Sequence, residues 1–126
     1  MIVLDSDVLI EIFDRKSTVG GELLNKILES NEDISTTAVC FHEVLYGALK
    51  YSKPVKEIQD IPVLNYTKED AELAARMELD AERKGKKLER ADLMIAATVI
   101  KEEAMFFTLN RKHFEQLESF GLKLFK

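Results

Sequence analysis

An α/β fold built on a parallel sheet follows from two observations on the sequence. Short apolar runs recur at Ile2-Val3-Leu4, Ile61 to Leu64, Ala104 to Phe107 and, more weakly, Leu122 to Phe125. Between them lie longer stretches whose apolar residues fall at helical spacing. Strands read as unbroken apolar runs when helices cover both faces of their sheet, and alternation of strand and helix is the pattern that builds such a sandwich. In these sheets chemistry gathers at the carboxyl ends of the strands.

The elements follow in order. Ile2 to Leu4 forms the opening strand, and a helix begins near Val8. Ser17 or Thr18 starts a second helix with Leu23, Ile27 and Leu28 on one face. Val44, Leu45, Ala48 and Leu49 mark a third helix, and Ala71, Ala74 and Ala75 a fourth, opened by Thr67 with Asp70 three residues on in a capping arrangement. Leu93, Ala96, Ala97 and Ile100 mark the last long helix. No repeat or Ser/Gly-rich linker interrupts this series, so residues 1–126 are expected to form one domain.

Composition narrows the function. Asp and Glu number 23 against 18 Lys and Arg, a formal charge of −5 that argues against holding nucleic acid through a basic surface alone. No apolar run approaches the roughly 20 residues of a membrane span, and MIVLDSDVLIEIF sets acids where a signal peptide needs an apolar core. A cytoplasmic protein without a membrane partner is expected. The single cysteine, Cys40, sits among Ala38, Val39 and Phe41 and reads as a buried, inert thiol.

Oxygen-bearing side chains cluster at the predicted strand ends. The first strand runs into Asp5-Ser6-Asp7. Asp5 or Ser6 alone serves as a helix cap, but capping uses one acid and two are present. Glu43 lies in the mostly apolar segment Val39 to Leu49, where partial burial of its charge is costly. Gly47, one turn on, leaves room there for a ligand or a close backbone. Asp92 borders the apolar stripe of the last long helix, where the helix dipole also favours an acid. Met105-Phe106-Phe107 ends in Thr108-Leu109-Asn110. Hard oxygen donors from separate segments are the ligand chemistry of Mg²⁺ or Mn²⁺. Zinc is disfavoured, because His42 and His113 are isolated and no zinc-binding spacing exists; both read as ordinary polar positions. Arg83, Lys84, Lys86, Lys87 and Arg90 form the densest basic stretch, either a solvated loop or a contact for substrate phosphates. Tyr46, Tyr51 and Tyr66 serve packing better than base stacking.

In this order, Asp5-Ser6-Asp7, His42-Glu43-Val44-Leu45-Tyr46-Gly47, Asp92-Leu93-Met94-Ile95-Ala96-Ala97 and Thr108-Leu109-Asn110-Arg111-Lys112-His113-Phe114 resemble the PIN-domain family, and within it the VapC-type toxin nucleases. The resemblance implies a three-layer α/β/α sandwich around a parallel sheet and a Mg²⁺- or Mn²⁺-dependent endonuclease acting on RNA. It implies Asp5, Glu43 and Asp92 as the catalytic, metal-holding acids, Asn110 as a further ligand, and Ser6, Asp7 and Thr108 in support. It implies a homodimer and a cognate antitoxin. The family often has another Asp near Asn110 or His113, and both are neutral here, so a second metal would be held more weakly. Asp5-Ser6-Asp7 after a strand also resembles the haloacid-dehalogenase phosphatases, although Val8 stands where Gly is usual. A receiver domain lacks a phosphoacceptor after the third strand, where Asn65-Tyr66-Thr67 follows Leu64. A degenerate domain of PIN fold that only scaffolds or binds RNA is the non-enzymatic alternative.

Overall fold

The computed structural model describes residues 1–126. Five strands, β1 (Ile2–Leu4), β2 (Ile34–Thr37), β3 (Val63–Leu64), β4 (Met105–Phe107) and β5 (Lys123–Leu124), form one sheet in the order β3-β2-β1-β4-β5. Every neighbouring pair is parallel. The chain builds outward from β1 through β2 to β3, then crosses back to lay β4 and β5 on the other side. The strand order therefore reverses between β1 and β4, and a crevice opens at their carboxyl ends, where such sheets bind ligands.

The helices are α1 (Ser6–Leu9), α2 (Thr18–Ser30), α3 (Ala38–Lys50), α4 (Lys56–Gln59), α5 (Lys68–Arg83), α6 (Arg90–Lys101) and α7 (Arg111–Glu115). A π-helical segment, Ile10–Arg15, continues α1 and ends at Lys16, whose φ is 48°. Ser17 starts α2, its Oγ accepting the Gly20 N–H at 2.9 Å. Thr67 and Asp70 cap α5 reciprocally, and Asp70 also accepts a 3.0 Å bond from the Thr98 hydroxyl of α6, so one buried acid both starts a helix and clips it to the next. Gly20 is required by close approach: a Cβ there would lie 2.1 Å from the Glu11 carbonyl oxygen.

Strand β2 was not expected, because Ile34-Ser35-Thr36-Thr37 holds one apolar residue. The segment is nonetheless buried, and two of its hydroxyls are satisfied there: Thr36 Oγ1 donates to the Leu4 carbonyl at 2.8 Å, and Thr37 Oγ1 accepts from Cys40 N at 3.1 Å, capping α3. The apolar run at Ile61 yields only a two-residue strand; Pro62 precedes it, its carbonyl accepting from Thr36 N at 2.9 Å, while Ile61 joins the core. On α5 the buried stripe is Asp70, Ala74, Met77 and Ala81, and Ala71 and Ala75 face solvent. Leu28 and Leu49 likewise lie outside the core, whereas Leu23, Ile27, Val44 and Ala48 are buried as expected. No helix is long and apolar enough to cross a membrane.

Candidate active site

Asp5 sits in the crevice, its backbone N–H donating to the Phe107 carbonyl at 2.9 Å to extend the β1–β4 ladder by one residue. Its carboxylate is buried and held from three sides. Oδ2 accepts from Thr108 Oγ1 at 2.7 Å, and Oδ1 accepts from Ser6 N at 2.8 Å and weakly from Cys40 Sγ at 3.6 Å. Asp5 thus caps α1, as one reading of the sequence allowed. It remains short of positive charge: burial foremost, then the charge of Asp7, pushes its pKa up to about 6, against the pull of the Thr108 and Ser6 hydrogen bonds. Burial also pushes the Cys40 thiol up to about 12, so it stays a neutral donor, as its apolar surroundings predict.

Glu43 joins this centre through Ser6, and Asp92 is held separately by His113. Ser6 Oγ donates to Glu43 Oε1 at 2.8 Å, so one residue bridges two acids, binding Asp5 through its backbone and Glu43 through its hydroxyl. Glu43 itself is solvent-exposed, and the cost expected from burying its charge does not arise. Asp7 Oδ2 accepts from Leu109 N at 3.1 Å, while its Oδ1 is buried without a partner, and burial raises its pKa. Asp92, near the start of α6, lies 2.8 Å from His113 Nε2 on α7. Phe114 fixes α7 by packing edge-on against Phe106 of β4, ring centroids 4.8 Å apart, and so aims the preceding histidine.

The structure departs from expectation at two points. Asp5, Glu43 and Asp92 were expected to hold a metal between them, and in this structure their carboxylates do not form a three-membered cluster. Like charges repel, and each acid is drawn to its own donor: Asp5 to Thr108, Glu43 to Ser6, Asp92 to His113. The Asn110 side chain is exposed and joins none of the acids; its backbone N–H instead donates to Thr108 Oγ1 at 3.0 Å, orienting the hydroxyl toward Asp5. His113, read as an ordinary polar position, is the residue that touches an acid. The resemblance had marked this position as one where the family often carries an acid, but not its contact with Asp92.

The profile of the PIN domain matches residues 2–119. The chain belongs to the PIN-domain family. This PIN domain is 27% identical, over 98% of its length and 86% of the relative's, to "Ribonuclease VapC1" of Methanocaldococcus jannaschii. In fold it is similar to a DNA-bound VapBC from Salmonella typhimurium, with a TM-score of 0.80 at 23% identity, covering 98% of this chain and 96% of that one. It is similar also to VapBC-1 from nontypeable Haemophilus influenzae, with a TM-score of 0.79 at 19% identity over 100% and 98% of the two chains.

In this PIN domain the basic stretch is only partly free. Arg90 is bidentate to Glu78, with nitrogen to oxygen distances of 3.1 and 2.9 Å, and Lys84 pairs with Asp80 at 3.0 Å. Arg83, Lys86 and Lys87 are exposed and make no ion pair. Tyr46 and Tyr51 are 60% and 67% exposed, so neither serves the core. The donor set suits a hard divalent cation. The acids offer oxygen alone, Asp5 is raised to about 6 by burial and then by the charge of Asp7, and Asp7 Oδ1 is buried without a partner.

Proposed function

We infer that this PIN domain is a metal-dependent endoribonuclease that hydrolyses RNA phosphodiester bonds, the toxin of a VapBC-type pair. One observation carries the reading: a carboxylate is buried at the end of the central strand beside a second acid, Asp7, and is tied through Ser6 to a third, Glu43, that faces solvent. The ribonuclease relative and the similarity to VapBC structures support it. A cytoplasmic homodimer with an antitoxin partner fits the same reading.

Asp5, Glu43 and Asp92 would hold Mg²⁺ or Mn²⁺, which when bound lowers the pKa of water toward neutrality and offsets charge on the phosphoryl oxygens. The chain's own groups do the positioning. Thr108 and Ser6 N–H fix the Asp5 carboxylate, and the Ser6 hydroxyl holds Glu43 one hydrogen bond away. His113 holds Asp92 in the gap between α6 and α7. Lys86 and Lys87 stand free to meet RNA phosphates, whereas Arg90 is engaged by Glu78.

The spread of the acids favours one competing reading, a degenerate scaffold with no ion. Cleavage of a fluorescent RNA separates the two. Asp5→Asn should lower the Mn²⁺-dependent rate by about 100-fold or more, the scale of losing a group that stabilises transition-state charge. Cleavage by the variant at the parent's rate would sink the assignment.

A further inference from the structure

Beside Glu43 lies a cavity of about 250 Å³ to which none of the roles above assigns a ligand. One wall is α3, which contributes Glu43, Gly47 and Ala48; the facing wall is the π-helical segment, through Ile10 and Asp14; Tyr51 and Lys53 lie at the rim. Gly47 sits in the interior of α3, where glycine weakens a helix, and a Cβ there would meet nothing within 4 Å. No neighbouring backbone explains the glycine, and what its missing side chain leaves is open space in the cavity. The facing wall is the only π-helical stretch of the chain, a form that recurs at functional sites because its wider turn displaces side chains.

We propose that this cavity is a nucleobase subsite, which takes the base of a nucleotide adjoining the scissile phosphate and gives the enzyme a sequence preference. The inference rests on the ribonuclease reading and adds to it. The walls match a base in kind. Apolar surface from Ile10, Val44, Ala48 and Ile58 suits the faces of a flat ring, and the Asp14–Lys53 ion pair, 3.0 Å apart, puts a carboxylate and an ammonium group in the same lining. The Tyr51 ring at the cavity is 67% exposed, with the Lys50 ammonium over it at 5.6 Å from the centroid, an aromatic surface and a cation within reach of an adjoining nucleotide. Glu43 belongs to both cavity and acid cluster, so a base seated here puts its sugar-phosphate at the acids. The separate groove on α3 around Phe41, Leu45 and Leu49 offers no carboxylate or ammonium group and lacks this match.

Two measurements on the full chain test the subsite. The first is cleavage of an RNA pool randomised around the cut, in Mn²⁺, by the parent and by Gly47→Leu, whose side chain grows into the cavity while favouring the helix. The parent should prefer one base at a fixed position. Gly47→Leu should lose that preference and raise KM on the preferred RNA about tenfold, the contribution of one stacked base, with an undiminished melting temperature. An unchanged preference and KM overturns the subsite and leaves the ribonuclease reading standing. The second is titration of AMP, GMP, CMP and UMP into ¹⁵N-labelled protein, which does not depend on cleavage. At least one should move the backbone amides of Gly47 and Tyr51 in the parent and not in Gly47→Leu. If none does, the cavity is no base site, and a protein partner that shifts those amides would then claim it. A parent that cleaves no RNA in Mn²⁺ removes the ribonuclease reading and the inference with it.

Discussion

At Asp5, burial and the nearby Asp7 raise the carboxyl from its ordinary 3.8 to about 6, so the folded protein binds this proton more tightly than the unfolded chain. The sign follows from linkage. The stabilisation is full below the unfolded value and is lost as pH rises through about 6, a difference of about 3 kcal/mol for a shift near two units. In chelator, Asp5→Asn should therefore melt higher than the parent at pH 7.5 and lack the parent's decline between about pH 4 and 6. Circular-dichroism melts across that range check it, and a variant that melts lower at pH 7.5 would contradict the charge argument. The partner of Asp92 gives a second prediction. If His113 positions that acid, His113→Ala should weaken Mn²⁺ binding about tenfold in calorimetry, the usual effect of losing a group that orients a metal ligand. An unchanged affinity would leave the contact without that role. Asp5 and Asp92 were legible in the sequence because a polar residue at a strand end or helix start is a local signal. The His113 contact joins residues 21 apart through the packing of Phe114 on Phe106, and nothing local announces it.

At the scale of elements, what the sequence hid was polar burial. Strand β2 carries three hydroxyl residues in a row, and a period-based reading passes over them; only the neighbouring Leu4 carbonyl and the start of α3 give Thr36 and Thr37 partners inside the sheet. Asp70 was visible as a cap but not as the clip to α6, since Thr98 lies 28 residues away. The π-helical segment and α2 meet at Gly20, where the Glu11 carbonyl occupies the place of a Cβ. Gly20→Ala should thus cost about 2 kcal/mol or more in urea denaturation, as overpacking does. A variant as stable as the parent would show that the two elements part freely. In the basic segment after α5, charge pairing divides residues that look alike in sequence. Replacing Lys86 and Lys87 with Gln should flatten the salt dependence of RNA binding by about two phosphate contacts, whereas Arg90→Gln should leave the slope close to the parent's. Fluorescence anisotropy at several salt concentrations measures both, and equal slopes for all three proteins would assign the segment to solvent.

For the whole molecule, the alternation of apolar runs and helical stripes was enough to predict the parallel sheet. The strand order, which puts β1 beside β4 and so brings Asp5 to Thr108 across 103 residues, had no signal of its own. Part of the formal −5 lies at the carboxyl end of the central strand, where Asp5, Asp7 and, through Ser6, Glu43 stand and where a divalent cation would offset them. The central claim is that these acids are a metal site that cuts RNA. Its most direct test is the rate of cleavage of a fluorescent RNA as Mn²⁺ is titrated into chelated protein. The rate should be nil in chelator, rise saturably with Mn²⁺ and stay near background throughout for Asp5→Asn; equal rates with and without Mn²⁺ would contradict it.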